Sequence, residues 1–312
     1  MAPSLTVAVV GSNGAARELG KKGTASDLTL YNDVHETHAL TLVEPTGFPE
    51  KLAPLLNALA MADHCLLLVP ELSRGLAEAV AVVELTELPV TIARGPAVGD
   101  AELSRALKGS RLDTAPRVGF DTPSLRASLS GLSAAPREGP VSVVLDHAFP
   151  VKGVGAVALG LVRQGTLKAH DRLQLWPTPK IVEVRSLQVH DVDRKEVSAG
   201  ERVGVALRGV EADELERGQV LAPEGSLTAD AELTGGPLLR CRYYRGDAGV
   251  GAKLHASVGL QVVPAQLEEL GPTGLKLLAD RPVVHAAGER AYLLDLSVPA
   301  GPRIVGASVL TR

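Results

Sequence analysis

At 312 residues the chain is longer than one hydrophobic core usually organises, so two or three domains are expected. Apolar residues make up 45% and charged residues 22%, which excludes a disordered chain; aromatics at 3% exclude a broad platform for stacking single-stranded bases. A net charge of −4 excludes a whole-molecule attraction to nucleic acid while leaving room for a local basic patch, and the two cysteines, Cys65 and Cys241, match no metal-ligand or disulfide pattern.

The first apolar stretch, Leu5 to Val10, lacks a preceding basic segment and is too short for a signal sequence or a membrane span. The expectation is a soluble, cytoplasmic protein with no membrane partner. Leu5 to Val10 instead reads as a buried strand entering the turn Gly11-Ser12-Asn13-Gly14. Leu40 to Val43 is a second strand, and Leu52, Leu55, Leu56 and Leu59 follow at helical spacing behind Pro49 and Pro54. Cys65 to Val69 is a continuous apolar run suited to a strand covered on both faces. Leu76, Val80 and Val83 share a helical face, and Pro89 to Ala93 gives the next strand. Strands separated by helical segments imply an α/β domain with a mostly parallel sheet over residues 1–133.

From Val141 the pattern changes to short β-rich runs between Gly, Pro and Asp turns: Val141 to Leu145, Ala156 to Leu161, Leu173 to Trp176, Ile181 to Val189 and Arg202 to Leu207. A loop around Pro223 to Asp230 separates further runs at Leu238 to Tyr244, Leu254 to Val263, Ala291 to Val298 and Arg303 to Val309. The expected fold class is α/β plus all-β, with β-barrels over 140–224 and 230–312.

Five ordered blocks carry a resemblance. They are Phe149 to Val157, Gly165 to Asp171, Val184 to His190, Ala199 to Leu207, and Arg217-Gly218. Together they resemble the first β-barrel behind the GTPase domain of elongation factor Tu and its relatives, among them the selenocysteine-specific elongation factor and the gamma subunit of archaeal initiation factor two. Pro302 to Ala307 is similar to the end of the family's last barrel. The resemblance implies a GTPase-like first domain, a role in translation, and RNA partners, either tRNA or the ribosome.

The motifs implied by that resemblance can be tested one by one. A phosphate-binding loop needs Gly-x-x-x-x-Gly-Lys-Ser/Thr after the first strand, so that backbone N–H groups, the lysine and a metal-binding hydroxyl all meet the phosphates. Gly11 supplies the first glycine, but the later positions fall on Ala16, Arg17 and Glu18. A carboxylate at Glu18 beside a phosphate would cost on the order of 4 kcal/mol at ~4 Å and an effective dielectric of about 20. The Asp-x-Pro-Gly-His element falls on Glu44-Pro45-Thr46-Gly47-Phe48, which keeps Gly47 and a carboxylate at Glu44 but puts Phe48 in place of the water-orienting histidine. The guanine-reading Asn-Lys-x-Asp should follow Ala93, where the chain has Arg94-Gly95-Pro96-Ala97. The expectation is a degenerate nucleotide site at Gly11, Ala16, Arg17, Glu18, Glu44, Gly47 and Phe48, with no catalytic residue and no cofactor. The alternative is GTP with Mg²⁺ held by unorthodox residues.

Three other groupings complete the reading. Gly20-Lys21-Lys22-Gly23-Thr24 is a basic run, either a solvated loop or a backbone-phosphate contact through Lys21 and Lys22. Arg240, Arg242 and Arg245 interleave with Tyr243 and Tyr244, and on a strand Arg240, Arg242 and Tyr244 would share a face suited to RNA phosphates. His35-Glu36-Thr37-His38 with Asp33 lacks the His-Glu-x-x-His spacing, so no metal is expected. The leading expectation is a translation-factor paralogue that binds RNA without a GTPase cycle, with a protein-interaction scaffold as the further alternative.

Overall fold

The computed structural model describes residues 4–34, 39–134 and 137–311. The chain forms two compact units. One comprises residues 4–134 with Arg240–Gly246 and Leu296–Gly306; the other comprises residues 137–239, Asp247–Asp295 and 307–311. Two stretches of the region read as a third domain thus group with the α/β unit. Within that unit Arg303 pairs with Glu78 at 2.6 Å, and Arg242 pairs with Glu84 at 2.9 Å.

The α/β unit runs β1 (Ser4–Val10), β2 (Lys21–Ala25), β3 (Thr29–Val34), β4 (Ala39–Glu44), α1 (Ala53–Met61), β5 (His64–Val69), α2 (Arg74–Leu85), β6 (Val90–Arg94), α3 (Asp100–Leu107), β7 (Arg117–Gly119) and α4 (Thr122–Ser130). Its sheet has the order β2-β3-β4-β1-β5-β6-β7. Strands β4, β1, β5, β6 and β7 are parallel, while β2 and β3 are antiparallel additions at one edge. The central β5 is buried at every position, which is why its sequence is apolar without alternation. Ser73 accepts from the Leu76 amide at the start of α2, and Asp121 accepts from the Ser124 amide at the start of α4.

One expectation changes here. The basic run at Lys21 to Thr24 is an edge strand rather than a solvated loop, with Lys21 opposite Asn32 and Lys22 opposite Tyr31. More consequentially, no helix follows β1: a single 3₁₀ turn over Ala15–Glu18 leads directly into the β2–β3 hairpin.

The second unit contains two seven-stranded antiparallel sheets and a two-stranded ribbon. The first sheet draws on the segment running β8 (Ser142–Val151), β9 (Gly155–Gln164), β10 (Thr166–Lys168), β11 (Arg172–Trp176), β12 (Ile181–Val189), β13 (Val192–Arg194), β14 (Glu196–Ser198), β15 (Arg202–Arg208) and β16 (Val220–Ala222), of which β10 and β14 stand apart. Its order is β11-β16-β8-β9-β15-β12-β13, and a further β11–β12 pairing closes it into a barrel around Val143, Leu145, Ala158, Val162, Leu187 and Val205. β10 and β14 form a separate short ribbon.

The last sheet takes β17 (Thr228–Gly235), β18 (Leu239–Arg240), β19 (Lys253–Val258), β20 (Gln261–Leu270), β21 (Leu275–His285), β22 (Arg290–Leu294) and β23 (Ile304–Val309) in the order β17-β21-β20-β19-β22-β23-β18. A bridge from Gly235 to Leu310 brings its two sides together. The strand expected over Leu238 to Tyr244 is only Leu239–Arg240 long, and the chain then turns at Arg242 and Tyr243. The run Leu254 to Val263 is two strands joined at Gly259 and Leu260. The fold class is α/β plus all-β, as the sequence pattern implies.

Candidate nucleotide site

The loop after β1 is organised by its first glycine. Gly11 has φ +104°, and a Cβ there would lie 2.1 Å from the Leu68 carbonyl oxygen on β5, so only glycine fits. From this point the chain passes Gly14 into the 3₁₀ turn, leaving backbone N–H groups unused by any helix.

Those groups are already taken. Glu44, at the end of β4, is fully buried, and its two carboxylate oxygens accept from the Gly14 amide at 3.0 Å and the Ala16 amide at 2.7 Å. Tyr31, on β3, is buried within electrostatic reach of Glu44 and Arg17. Burial, followed by the Glu44 charge, pushes the Tyr31 phenol above its ordinary value, while Arg17 acts in the opposite sense. A carboxylate thus occupies backbone amides that a phosphate would require.

Glu18 does not do what its position suggested. Its side chain is exposed, and its contribution here is a backbone carbonyl that accepts from Arg126 at 2.8 Å. The carboxylate in the loop belongs to Glu44, two strands away in sequence. The sequence showed a missing lysine and hydroxyl but could not show that the truncated turn brings Glu44 onto the loop.

The Glu-Pro-Thr-Gly-Phe block is tied down on both sides. Gly47 donates to the Asp27 carbonyl at 2.9 Å, Thr46 Oγ1 donates to the Ser26 carbonyl at 3.1 Å, and Phe48 donates its amide to the Pro45 carbonyl at 2.9 Å. Asn13 Nδ2 reaches the Phe48 carbonyl at 3.3 Å, and the Phe48 ring is buried. The β2–β3 turn at Ser26 to Leu28 therefore anchors this segment. Tyr31 and that turn were missed in the sequence, although Leu28-Thr29-Leu30-Tyr31 carries the β-branched and aromatic signal that would have marked the strand.

At the end of β6, Arg94 stands where the guanine-reading asparagine would be. Its guanidinium donates to the Val98 carbonyl at 2.6 Å and pairs with Asp100 at 2.7 Å. It braces its own loop and offers no carboxylate to a base edge.

The candidate RNA-binding residues lie on different elements. Lys21 and Lys22 are exposed on the edge strand β2. Arg240 lies on β18, whereas Arg242 pairs with Glu84 and stacks over Tyr243 at 4.9 Å, and Arg245 is exposed beyond the turn. The expected shared face for Arg240, Arg242 and Tyr244 is therefore absent, because the strand ends at Arg240 and the Glu84 carboxylate engages Arg242. His35, Glu36, Thr37 and His38 lie outside the described residues. Among the described residues there is no grouping of side chains that could hold a metal ion and no helix long and apolar enough to cross a membrane.

A family profile described as elongation factor Tu domain 2 matches residues 155–222. An uncharacterized protein of Methanocaldococcus jannaschii is 33% identical over 98% of this chain and 99% of its own length. The selenocysteine-specific elongation factor of the same organism is 27% identical over 80% of this chain, which spans 59% of that factor. Among solved structures, translation elongation factor SelB from Methanococcus maripaludis in complex with a GTP analogue matches with a TM-score of 0.85 at 19% identity, covering 100% of this chain and 79% of that one. A bacterial selenocysteine-specific elongation factor gives 0.82 at 17% identity, covering 99% of this chain and 58% of its own. By sequence and by fold, the chain belongs to the family of translational GTPases that includes elongation factor Tu and the selenocysteine-specific elongation factors.

Proposed function

We propose that this protein is a cytoplasmic translation factor that binds RNA, either a tRNA or the ribosome, and does so without a GTPase cycle. The supporting observation is the Glu44 carboxylate seated on the Gly14 and Ala16 amides. A triphosphate with its magnesium ion does not fit these residues. It would have to displace two charge-assisted hydrogen bonds of roughly 1.5–3 kcal/mol each and then face a carboxylate at a cost on the order of 4 kcal/mol. No lysine and no Ser/Thr hydroxyl stands at the end of the motif to offset this, since those positions are Arg17 and Glu18. The anchored Thr46 to Phe48 segment also lacks the freedom and the imidazole that an activated-water mechanism needs.

RNA binding is supported by kinship with translation elongation factors and by the exposed cations Lys21, Lys22, Arg240 and Arg245. Two measurements test the reading. Titration with a fluorescent GTP analogue and Mg²⁺ should give no saturable signal, and filter binding at low salt should retain tRNA or ribosomes. Saturable, magnesium-dependent nucleotide binding would overturn the first half. Absence of RNA retention, with a stoichiometric protein partner instead, would move the function to a protein-interaction scaffold.

A further inference from the structure

The loop that carries Gly11 also carries a chemically labile pair. Asparagine occurs three times in the chain, at Asn13, Asn32 and Asn57, and only Asn13 is followed by glycine. In such a pair the glycine nitrogen can attack the side-chain carbonyl carbon of the asparagine, because no side chain on the second residue blocks the approach. Asparagine counts among the thermolabile residues. The other two are protected by their surroundings. Asn32 lies within β3, opposite Lys21 on one side and Thr41 on the other, and Asn57 is buried in α1.

Asn13 has no such cover. It is exposed, and Gly14, with φ +88°, has nothing within 4 Å of the place where a Cβ would stand. What restrains the pair is two hydrogen bonds. The Gly14 amide donates to Glu44 Oε2 at 3.0 Å, and Asn13 Nδ2 donates to the Phe48 carbonyl at 3.3 Å. The first holds the nucleophile. Attack requires the Gly14 nitrogen to shed its proton, and the resulting anion would form beside the buried Glu44 carboxylate, where like charges are poorly screened. The second holds the electrophile, since the side-chain amide of Asn13 is fixed on Phe48 instead of turning onto Gly14. Both partners are thus held by the segment from Glu44 to Phe48.

We propose that Asn13 is a site of covalent modification, deamidation through a cyclic imide, and that the Glu44 carboxylate gates it. In the ring-closing step a bond forms between the Gly14 nitrogen and Asn13 Cγ. The Cγ–Nδ2 bond breaks, and ammonia leaves with the proton given up by the Gly14 nitrogen. Water then opens the ring at either carbonyl, which yields aspartate or isoaspartate at position 13 with no change of oxidation state. Either product sets a new carboxylate on the loop that Glu44 occupies. Isoaspartate also routes the backbone through the former side chain, so the Gly14 and Ala16 amides lose their register with Glu44. Glu44 thus preserves the loop as well as filling it.

The test is peptide mapping by mass spectrometry after incubation of the whole protein at mildly alkaline pH, with a synthetic peptide of residues 9–18 as the ungated reference. Asn13 in the wild type should convert about tenfold or more slowly than in the peptide. Glu44→Gln keeps an acceptor oxygen but not the charge, and should speed conversion by about tenfold or more. Arg303→Met loosens the α/β unit at α2 and not at the loop, so it should leave the rate near the wild-type value. Circular dichroism confirms that both variants are folded, and the comparison with the peptide needs no variant at all. Wild-type conversion as fast as the peptide's would overturn the proposal. So would a Glu44→Gln rate equal to the wild type's, or an Arg303→Met rate as high as that of Glu44→Gln, which would trace the reaction to general unfolding. The readout involves neither nucleotide nor RNA, so its failure is distinct from a failure of the proposed function.

Discussion

The barrel over β8–β16 and the loop after β1 treat the family pattern in opposite ways. The barrel carries all five sequence blocks, and they fall at its strand pairs and turns: the β8–β9 hairpin, the β10 turn, β12, β15 and the turn before β16. The loop carries one glycine of its motif and none of the ligand chemistry. What the two regions share is retained glycines at positive φ, among them Gly11, Gly165, Gly200 and Gly218. Gly11 is needed because β5 passes 2.1 Å from where a Cβ would be, whether or not a phosphate is ever bound. A motif glycine can therefore outlast the chemistry that names the motif, and its presence alone is poor evidence for a nucleotide.

The most forceful way to break that comparison is to replace the glycine. Gly11→Ala should destabilise the α/β unit by roughly 3–5 kcal/mol, through a disallowed φ and a collision with the Leu68 carbonyl, read as a fall in urea midpoint. A near-neutral result would mean that the glycine is retained for a ligand after all. Next in size is Arg303, from the block similar to the family's last barrel. Its guanidinium grips both Glu78 oxygens and donates to the carbonyls of Pro49 and Glu50. Arg303→Met leaves the buried Glu78 carboxylate uncompensated and should cost about 3 kcal/mol, with Glu78→Gln added on top recovering part of the loss. An additive double variant would contradict this account of why the block persists.

Glu44 itself comes third. Glu44→Ala frees the Gly14 and Ala16 amides, for an expected loss of about 2–3 kcal/mol in equilibrium unfolding. The same variant sharpens the comparison, because it should still fail to bind a fluorescent GTP analogue. With the lysine and the hydroxyl both missing, unplugging the loop does not restore the site. Binding regained by that single change would show that the plug alone had closed a site otherwise intact.

Much of this was legible in the sequence, for identifiable reasons. β1, β5 and β6 are apolar runs of strand length, and the barrel strands alternate between turns, so periodicity found them. The β2–β3 hairpin was missed because Lys21-Lys22-Gly23-Thr24 lies on an edge strand, where solvent replaces burial and the pattern loses its contrast. β17 and β21 escaped for a related reason: β21 breaks its alternation with three consecutive exposed positions, Asp280 to Pro282. Three missing ligands at the nucleotide site could be read directly, but the plug could not, since it depends on a helix being absent after β1. Of the two carboxylates named from spacing, Glu44 lies on the loop amides and Glu18 is exposed.

A smaller effect separates burial from chemistry within the α/β sheet. His64 on β5 is buried with its Nε2 3.0 Å from Thr91 Oγ1, and burial holds its pKa below the ordinary value. The unfolded chain therefore takes up a proton before the folded one does. Stability is insensitive to His64 at neutral pH and falls as pH drops below ~6.5, at most by about 1.4 kcal/mol per pH unit. His64→Gln should flatten that slope in urea midpoints measured between about pH 7.5 and about pH 5.5. An unchanged slope would assign the acid sensitivity to other groups.

The smallest expected change in stability bears most directly on RNA. Lys21 and Lys22 are exposed on the edge strand β2, so changing both to Gln should shift unfolding by no more than ~0.5 kcal/mol. If they meet an RNA backbone, retention on tRNA or ribosomes should weaken, and the slope of log affinity against log salt should become shallower by about one unit for each phosphate no longer neutralised. A pair of lysines serving only to keep an edge strand from pairing with another chain would leave that slope alone and make the variant more prone to self-association. The two roles make opposite demands on one measurement. Running the salt series beside light scattering on the same sample decides whether the edge of the α/β sheet is an RNA contact or merely a guarded border.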